Sequence, residues 1–238
     1  MPEFRFPNEP DDYRAARDEL LDEEVALRAE VEAVAAKRRT LPLGGRLGGD
    51  YRFERFVDGE VQEVPFADLF GKHPSLLVYT MMFGPDWDAP CPSCTSIVDS
   101  LNASWQTVDD TCAIAVTAAA GAEQLDGWAR HRGWTIPLVS GRTSPYVLDY
   151  RGYEDTTDPA LVSIMNVFRK TADGIFHSWG SELVSRPMAN GNPRHVDSIW
   201  TLYNLLDLTP EGRGDAIVPK QNFEHAYFSK HVLGEGES

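Results

Sequence analysis

The long first segment of the chain has one regular apolar pattern. Residues 11–39 contain no Gly or Pro, and apolar side chains recur every seven residues, at Tyr13, Leu20, Leu27 and Val34. This spacing predicts one long helix, acidic in its first half and basic at its end, as the helix dipole favours. The apolar stripe has to be buried, and we expect it to pack on the rest of the chain or to form a homodimer with a second copy. The Gly-rich residues 41–50 predict a flexible joint.

From residue 51 onward the pattern becomes that of a sheet with crossover helices. Residues 51–56 and residues 60–66 each alternate between hydrophobic and polar side chains, and Asp58-Gly59 lies between them. This pattern predicts a hairpin. Continuous apolar runs at 75–83 and 111–118 predict buried strands, followed by a helix over 121–133 and a short strand over 135–140. A second hairpin at 159–179 and an amphipathic helix at 195–208 complete an α/β order. We therefore predict an arm over 1–40, one domain over 41–214 and a tail over 215–238.

Composition and charge exclude several classes of function. The formal net charge of −15 disfavours nucleic acid and anionic membrane surfaces as partners, because no basic patch is present to neutralise phosphates. No apolar run approaches the roughly 18 residues that would indicate a membrane span. The first 21 residues show neither a basic leader nor an apolar signal core, so we expect a cytoplasmic protein.

The candidate chemistry lies in the segment MMFGPDWDAPCPSC, which follows the first buried strand. Pro92 suits the first position of a helix, which places Cys91 at the N-cap. There the free backbone N–H groups and the helix dipole favour a thiolate, so we expect Cys91 to react first and to have a pKa below that of a free thiol, with Asp86 and Asp88 keeping the drop modest. Cys94 lies one turn further on the same face. A nucleophilic Cys91 and a resolving Cys94 are what dithiol–disulfide exchange requires, without metal or organic cofactor.

Other interpretations of the pair remain open. A zinc site normally has a second pair of ligands at close spacing, and the third cysteine, Cys112, lies in an apolar run that predicts a small buried side chain. A non-catalytic interaction protein with idle cysteines is one alternative, and a thiol peroxidase using Cys91 is another. For an exchange enzyme, the partner is a disulfide- or thiol-bearing protein or small molecule.

The chain resembles the thioredoxin fold, in its peroxiredoxin-like branch, and more specifically the thioredoxin-like family catalogued as domain of unknown function 899. The residues that carry the resemblance are YRAARDELLDEEVALRAEVEAVAAKRRTLP, VYTMMFGPDWDAPCPSC, GIFHSW and LDLTPEGR. The resemblance implies an α/β, thioredoxin-like fold: a central mixed sheet flanked by helices, with an N-terminal hairpin and a long N-terminal helical arm. It also implies a dithiol–disulfide oxidoreductase.

The resemblance also implies roles for residues around the two cysteines. It assigns Trp87 and Pro159 to substrate binding, with Pro159 as the proline opposite the active site. The buried acid that assists thiol deprotonation in thioredoxins falls near Tyr79, where LLVYTMMF holds no carboxylate. The Pro and Thr or Ser that precede the peroxidatic cysteine of peroxiredoxins are absent before Cys91 and Cys94.

Overall fold

The computed structural model describes residues 4–152, 161–186 and 194–213. The chain divides into two compact units, one ending at Pro42 and one beginning at Leu43. The first unit is mainly helix α1 (Asp11–Arg39), with acidic residues in its first turn and three basic residues in its last. The predicted long helix is therefore confirmed. Its apolar stripe is exposed, by 48% at Leu20, 65% at Leu27 and 41% at Val34.

The second unit is built on a mixed sheet, which has seven strands in the described part of the chain. The strands are β1 (Arg52–Val57), β2 (Glu60–Pro65), β3 (Ser75–Thr80), β4 (Ala113–Ala118), β5 (Leu138–Ser140), β6 (Ile164–Thr171) and β7 (Gly174–Gly180). The helices are α2 (Pro92–Val108), α3 (Ala122–Arg132), α4 (Tyr146–Asp149) and α5 (Thr201–Leu206). The strand order is β2-β1-β5-β4-β3-β6-β7.

The strand pairing identifies the fold. Strands β3, β4 and β5 are parallel, and helices α2 and α3 connect them, while β6 pairs antiparallel with β3 and β7 antiparallel with β6. A β-α-β unit extended by an antiparallel hairpin on the other side of its first strand is the thioredoxin-like arrangement. The hairpin β1–β2 turns at Asp58 and Gly59, which both have positive φ, as a two-residue hairpin turn requires. The predicted fold class is confirmed.

Two apolar layers cover the two faces of the sheet. The layer on the side of α2 includes Tyr79, Ile97 and Trp134, together with both cysteines of the pair. The other layer is rich in aromatic side chains, among them Phe66 and Tyr146. Successive residues of β3 alternate between the two layers, as the two-residue period of a strand dictates. The cysteine pair therefore belongs to the core of the α2 side.

The helix predicted over residues 195–208 is interrupted. A short 3-10 turn, Asp197–Ile199, is followed by α5, and Trp200 between them has an extended backbone with φ −111° and ψ 95°. Trp200 is 5% exposed, and its indole N–H donates to the Ser96 hydroxyl of α2 at 3.0 Å. The free energy gained by burying this indole and hydrogen-bonding its N–H exceeds what continuing the helix through Trp200 would contribute. The prediction of one continuous helix is wrong for this reason.

One side chain of α2 accepts two backbone hydrogen bonds from the entry to β5. The Asn102 amide oxygen accepts the backbone N–H groups of Thr135 and Ile136, at 2.7 and 3.0 Å. Replacing Asn102 by Ala should lower the free energy of unfolding by about 1–2 kcal/mol, because both donors lose their acceptor. Denaturant unfolding measures this loss. Gln106→Ala, at an exposed position of the same helix, is the matched control, and equal effects of the two variants would contradict the prediction.

Candidate functional site

The cysteine pair lies where β3 ends and α2 begins. Cys91 is the residue that precedes the first turn of α2, and Pro92 occupies the first turn. The Cys91 N–H donates to the Met82 carbonyl at 2.9 Å, and the Cys91 carbonyl accepts the Thr95 N–H at 2.9 Å. The loop over residues 81–90 is thereby folded back against the start of the helix. The predicted N-cap position of Cys91 agrees with this geometry.

Both sulfurs are reduced and nearly inaccessible. Cys91 is 5% exposed and Cys94 is 1% exposed. The Met82 N–H points at the Cys94 sulfur at 3.4 Å, and the two thiols are hydrogen-bonded to each other. Cys91 is the outer sulfur and Cys94 the inner one.

The environment makes the inner sulfur the more acidic of the two. The hydrogen bond to Cys94 and burial together raise the pKa of Cys91, outweighing the opposite effect of the Cys94 and Ser93 backbone N–H groups. Burial alone would raise the pKa of Cys94 as well. Hydrogen bonds from Cys91, the Met82 N–H and the Tyr79 and Ser163 hydroxyls overcome it and lower the pKa of Cys94 to about 7.

The prediction of a lowered pKa at Cys91 is therefore wrong. The N-cap position does supply two backbone donors to Cys91, as the sequence indicates. More donors converge on Cys94, however, and one of them is the Cys91 thiol itself. When the pair carries a single negative charge, hydrogen bonds stabilise that charge best on the inner sulfur, and the remaining proton stays on the outer sulfur.

Two hydroxyl groups complete the site. Tyr79 is fully buried on β3, and burial raises the pKa of its phenol well above the usual value, so it remains a hydrogen-bond donor. Its oxygen lies 2.7 Å from that of Ser163, the residue before β6. Tyr79 is thus found beside the dithiol, at the position where the resemblance places a buried acid. Ser163 was missed, although the expected pairing of the 75–83 strand with a neighbouring strand offers a place to look.

Trp87 lies in the loop between β3 and α2. Its backbone N–H donates to the Gly84 carbonyl at 3.2 Å, and Gln124 of α3 donates to its carbonyl at 2.6 Å. The indole packs against the core layer that holds both cysteines. The assignment of Trp87 to substrate binding stays a prediction, and Pro159, the other residue so assigned, lies outside the described residues.

The third cysteine is remote from this site. Cys112 lies directly before β4, at the amino end of the strand, whereas the dithiol lies at the carboxyl end of the parallel strand β3. It is partly exposed, which differs from the predicted buried side chain, and burial and Asp109 raise its pKa. Within residues 4–152, 161–186 and 194–213, His, Cys, Asp and Glu side chains form no cluster of three or more suited to a metal ion. No helix among the described residues has the length and apolar character needed to cross a membrane.

Comparison with known proteins gives a family and a set of distant structures. The model of a family described as bacterial protein of unknown function (DUF899) matches residues 4–229. No curated protein matches the chain.

Solved structures resemble parts of the chain at low identity. Enterococcus faecalis AhpC is 12% identical, with 53% of this chain and 74% of that chain covered and a TM-score of 0.42. A mutant of Xylella fastidiosa PrxQ is 10% identical, covering 69% and 97%, with a TM-score of 0.43. The reduced 2-Cys peroxiredoxin of Plasmodium vivax is 17% identical, covering 56% and 81%, with a TM-score of 0.41.

Proposed function

The chain belongs to the DUF899 family of bacterial proteins, and we propose that it acts in this family as a thiol–disulfide oxidoreductase that uses Cys91 and Cys94. One observation carries the proposal. A buried dithiol has its inner sulfur facing the Met82 N–H at 3.4 Å, the Cys91 thiol and the hydrogen-bonded hydroxyl pair of Tyr79 and Ser163, which together lower the pKa of Cys94 to about 7. A structural cysteine in an apolar core has no need for such donors and has a raised pKa.

In the proposed reaction Cys91 attacks first, because it is the more exposed sulfur. Cys94, as the thiolate, accepts the proton of Cys91 through their hydrogen bond while the Cys91 sulfur attacks a disulfide. A bond forms between Cys91 and one substrate sulfur, and the substrate disulfide bond breaks. The other substrate sulfur leaves as a thiolate and is protonated by solvent.

Cys94 then resolves the mixed disulfide. It loses its proton, is stabilised as a thiolate by Met82, Tyr79 and Ser163, and attacks the sulfur of Cys91. The protein disulfide forms and the second substrate thiol leaves. Two electrons pass from the dithiol to the substrate, and a cellular dithiol or thiol returns them in the reverse sequence.

A hydroperoxide is the second candidate oxidant. Cys91 is only 5% exposed, which favours a small oxidant over a bulky disulfide. The Cys91 sulfur would displace an alcohol or water from the peroxide and become a sulfenic acid. Cys94 would then condense with it, releasing water and forming the same protein disulfide.

Counting thiols by mass spectrometry tests the proposal. After reaction of the reduced protein with one equivalent of a small disulfide, we expect two of the three cysteines to become joined, with Cys112 still open to alkylation. The same thiol count after treatment with a hydroperoxide, in place of the disulfide, tests the second candidate reaction. Three free thiols after both treatments would contradict both candidates and favour a non-catalytic interaction protein.

We also propose that the protein is a cytoplasmic homodimer joined through α1. The support is the exposed heptad stripe of this helix, since an apolar stripe of that length is rarely left in water. The full-length variant Leu20→Lys/Leu27→Lys should sediment as a monomer. Glu19→Lys/Glu32→Lys, which alters charge outside the stripe, is the control, and an unchanged mass in the first variant would contradict the proposal.

A further inference from the structure

A cleft of about 500 Å³ opens at the edge of the sheet where the parallel strands end. Gly84 follows β3, Ala119 follows β4, and Gly141 follows β5, and all three line the cleft. In open α/β sheets, ligands bind outside the carboxyl ends of the parallel strands. The position of the cleft is therefore that of a ligand site.

Two glycines keep the cleft open. A Cβ atom on Gly141 would lie 2.5 Å from the side chain of Val147, and a Cβ atom on Gly84 would lie 2.6 Å from the indole nitrogen of Trp87. Both contacts are shorter than real side chains tolerate. Any larger residue at Gly84 would displace Trp87, and any larger residue at Gly141 would displace Val147.

Trp87 connects the cleft with the dithiol. Its indole lines the cleft and also packs against the core layer that contains Cys91 and Cys94. The same loop supplies Met82, whose carbonyl and N–H hold Cys91 and Cys94 in place. A molecule in the cleft would therefore contact the same loop that holds the reactive sulfurs.

The lining has a distinct chemistry. Its walls are mainly apolar, with Trp87, Val147, Leu148 and Leu161. Arg142 supplies the one positive charge among the described lining residues, and it forms no ion pair with any residue in the described ranges. The cleft therefore presents a guanidinium group beside an apolar surface, in a chain whose net charge is −15.

From this lining we infer that the cleft selects small disulfides that carry a carboxylate next to an aromatic or aliphatic group. The guanidinium binds the carboxylate and the apolar walls hold the adjoining group, which places the disulfide beside the loop that carries Cys91. The inference rests on the proposed oxidoreductase function and adds a substrate class to it.

The test compares two aromatic disulfides that each release a product followed by its absorbance. Dithiobis(nitrobenzoate) carries carboxylates and dithiodipyridine carries none, and the reduced protein is mixed with each in turn. The quantity of interest is the ratio of the two rate constants, anionic over uncharged. In Arg142→Gln this ratio should fall about tenfold, the loss expected for one charge-assisted pair. Added salt should lower the ratio of the wild type in the same direction.

Arg130→Gln is the matched control, because it makes the same charge change in the last turn of α3, outside the cleft lining. Its ratio should equal that of the wild type. An unchanged ratio in Arg142→Gln, or an equal fall in Arg130→Gln, would overturn the inference and leave the oxidoreductase function standing. Absence of exchange with both disulfides in the wild type would instead overturn the proposed function itself.

Discussion

Replacing Cys91 by Ser should abolish thiol–disulfide exchange, with a loss on the order of 10³ or more in rate. A serine hydroxyl is not ionised near neutral pH and does not attack a disulfide. The remaining Cys94 is the inner sulfur, 1% exposed against 5% for Cys91, so its own attack on a substrate should be much slower. The loss is measured with an uncharged small disulfide in excess, by the thiol released.

Cys94→Ser should give a different outcome from Cys91→Ser. The outer sulfur can still attack, although more slowly because the proton acceptor is missing, and the mixed disulfide on Cys91 should then accumulate because nothing resolves it. Mass spectrometry detects the adduct. Cys112→Ser, at the other end of the parallel strands, should exchange as the wild type does. Turnover that survives Cys91→Ser, or an adduct on Cys112, would contradict the assigned roles.

The second large effect is expected at Tyr79, through pH. Its hydroxyl is one of the donors that lower the pKa of Cys94 to about 7. In Tyr79→Phe that donor is lost, and the apparent pKa of the dithiol should rise to roughly 8, the equivalent of one hydrogen bond to a charged group. The reactive monoanion forms as pH rises through this pKa, so the rate at pH 7 should fall about fivefold and recover at alkaline pH.

Tyr146→Phe is the matched control for this change. Tyr146 is also fully buried and loses the same hydroxyl, but it lies in the aromatic layer on the other face of the sheet. The pH profile of its exchange rate should match that of the wild type. A profile shifted equally in both variants would show a general effect of removing a buried hydroxyl, and a Tyr79→Phe profile that does not move would exclude Tyr79 as a donor to Cys94.

Much of the fold follows from local signals. The long α1 follows from its composition and seven-residue spacing, and the β1–β2 hairpin follows from Asp58-Gly59 between two alternating segments. The position of Cys91 before α2 follows from Pro92, which suits the first turn of a helix. Each of these features depends on residues that are close together in sequence, and a sequence pattern describes interactions of that kind.

The properties that the sequence did not predict depend on contacts between distant residues. The acidity of Cys94 arises in part from Ser163. Ser163 is distant from Cys94 in sequence, and the pairing of β3 with β6 brings the two residues close together. The interruption of the last helix at Trp200 arises from its hydrogen bond to Ser96, 104 residues earlier. Local propensity contains no information about such partners, so N-cap reasoning alone predicted a lowered pKa for Cys91.

An equilibrium redox titration of the full chain, with thiols counted by mass spectrometry, tests the central claim most directly. Cys91 and Cys94 should convert together from two thiols to one disulfide in a reversible two-electron transition, while Cys112 stays reduced. The midpoint should lie near the cytosolic range of roughly −220 to −320 mV, where exchange can run in either direction. A pair that stays reduced under oxidising buffer, or that oxidises irreversibly without forming the Cys91–Cys94 disulfide, would contradict the claim that these cysteines are a working redox couple.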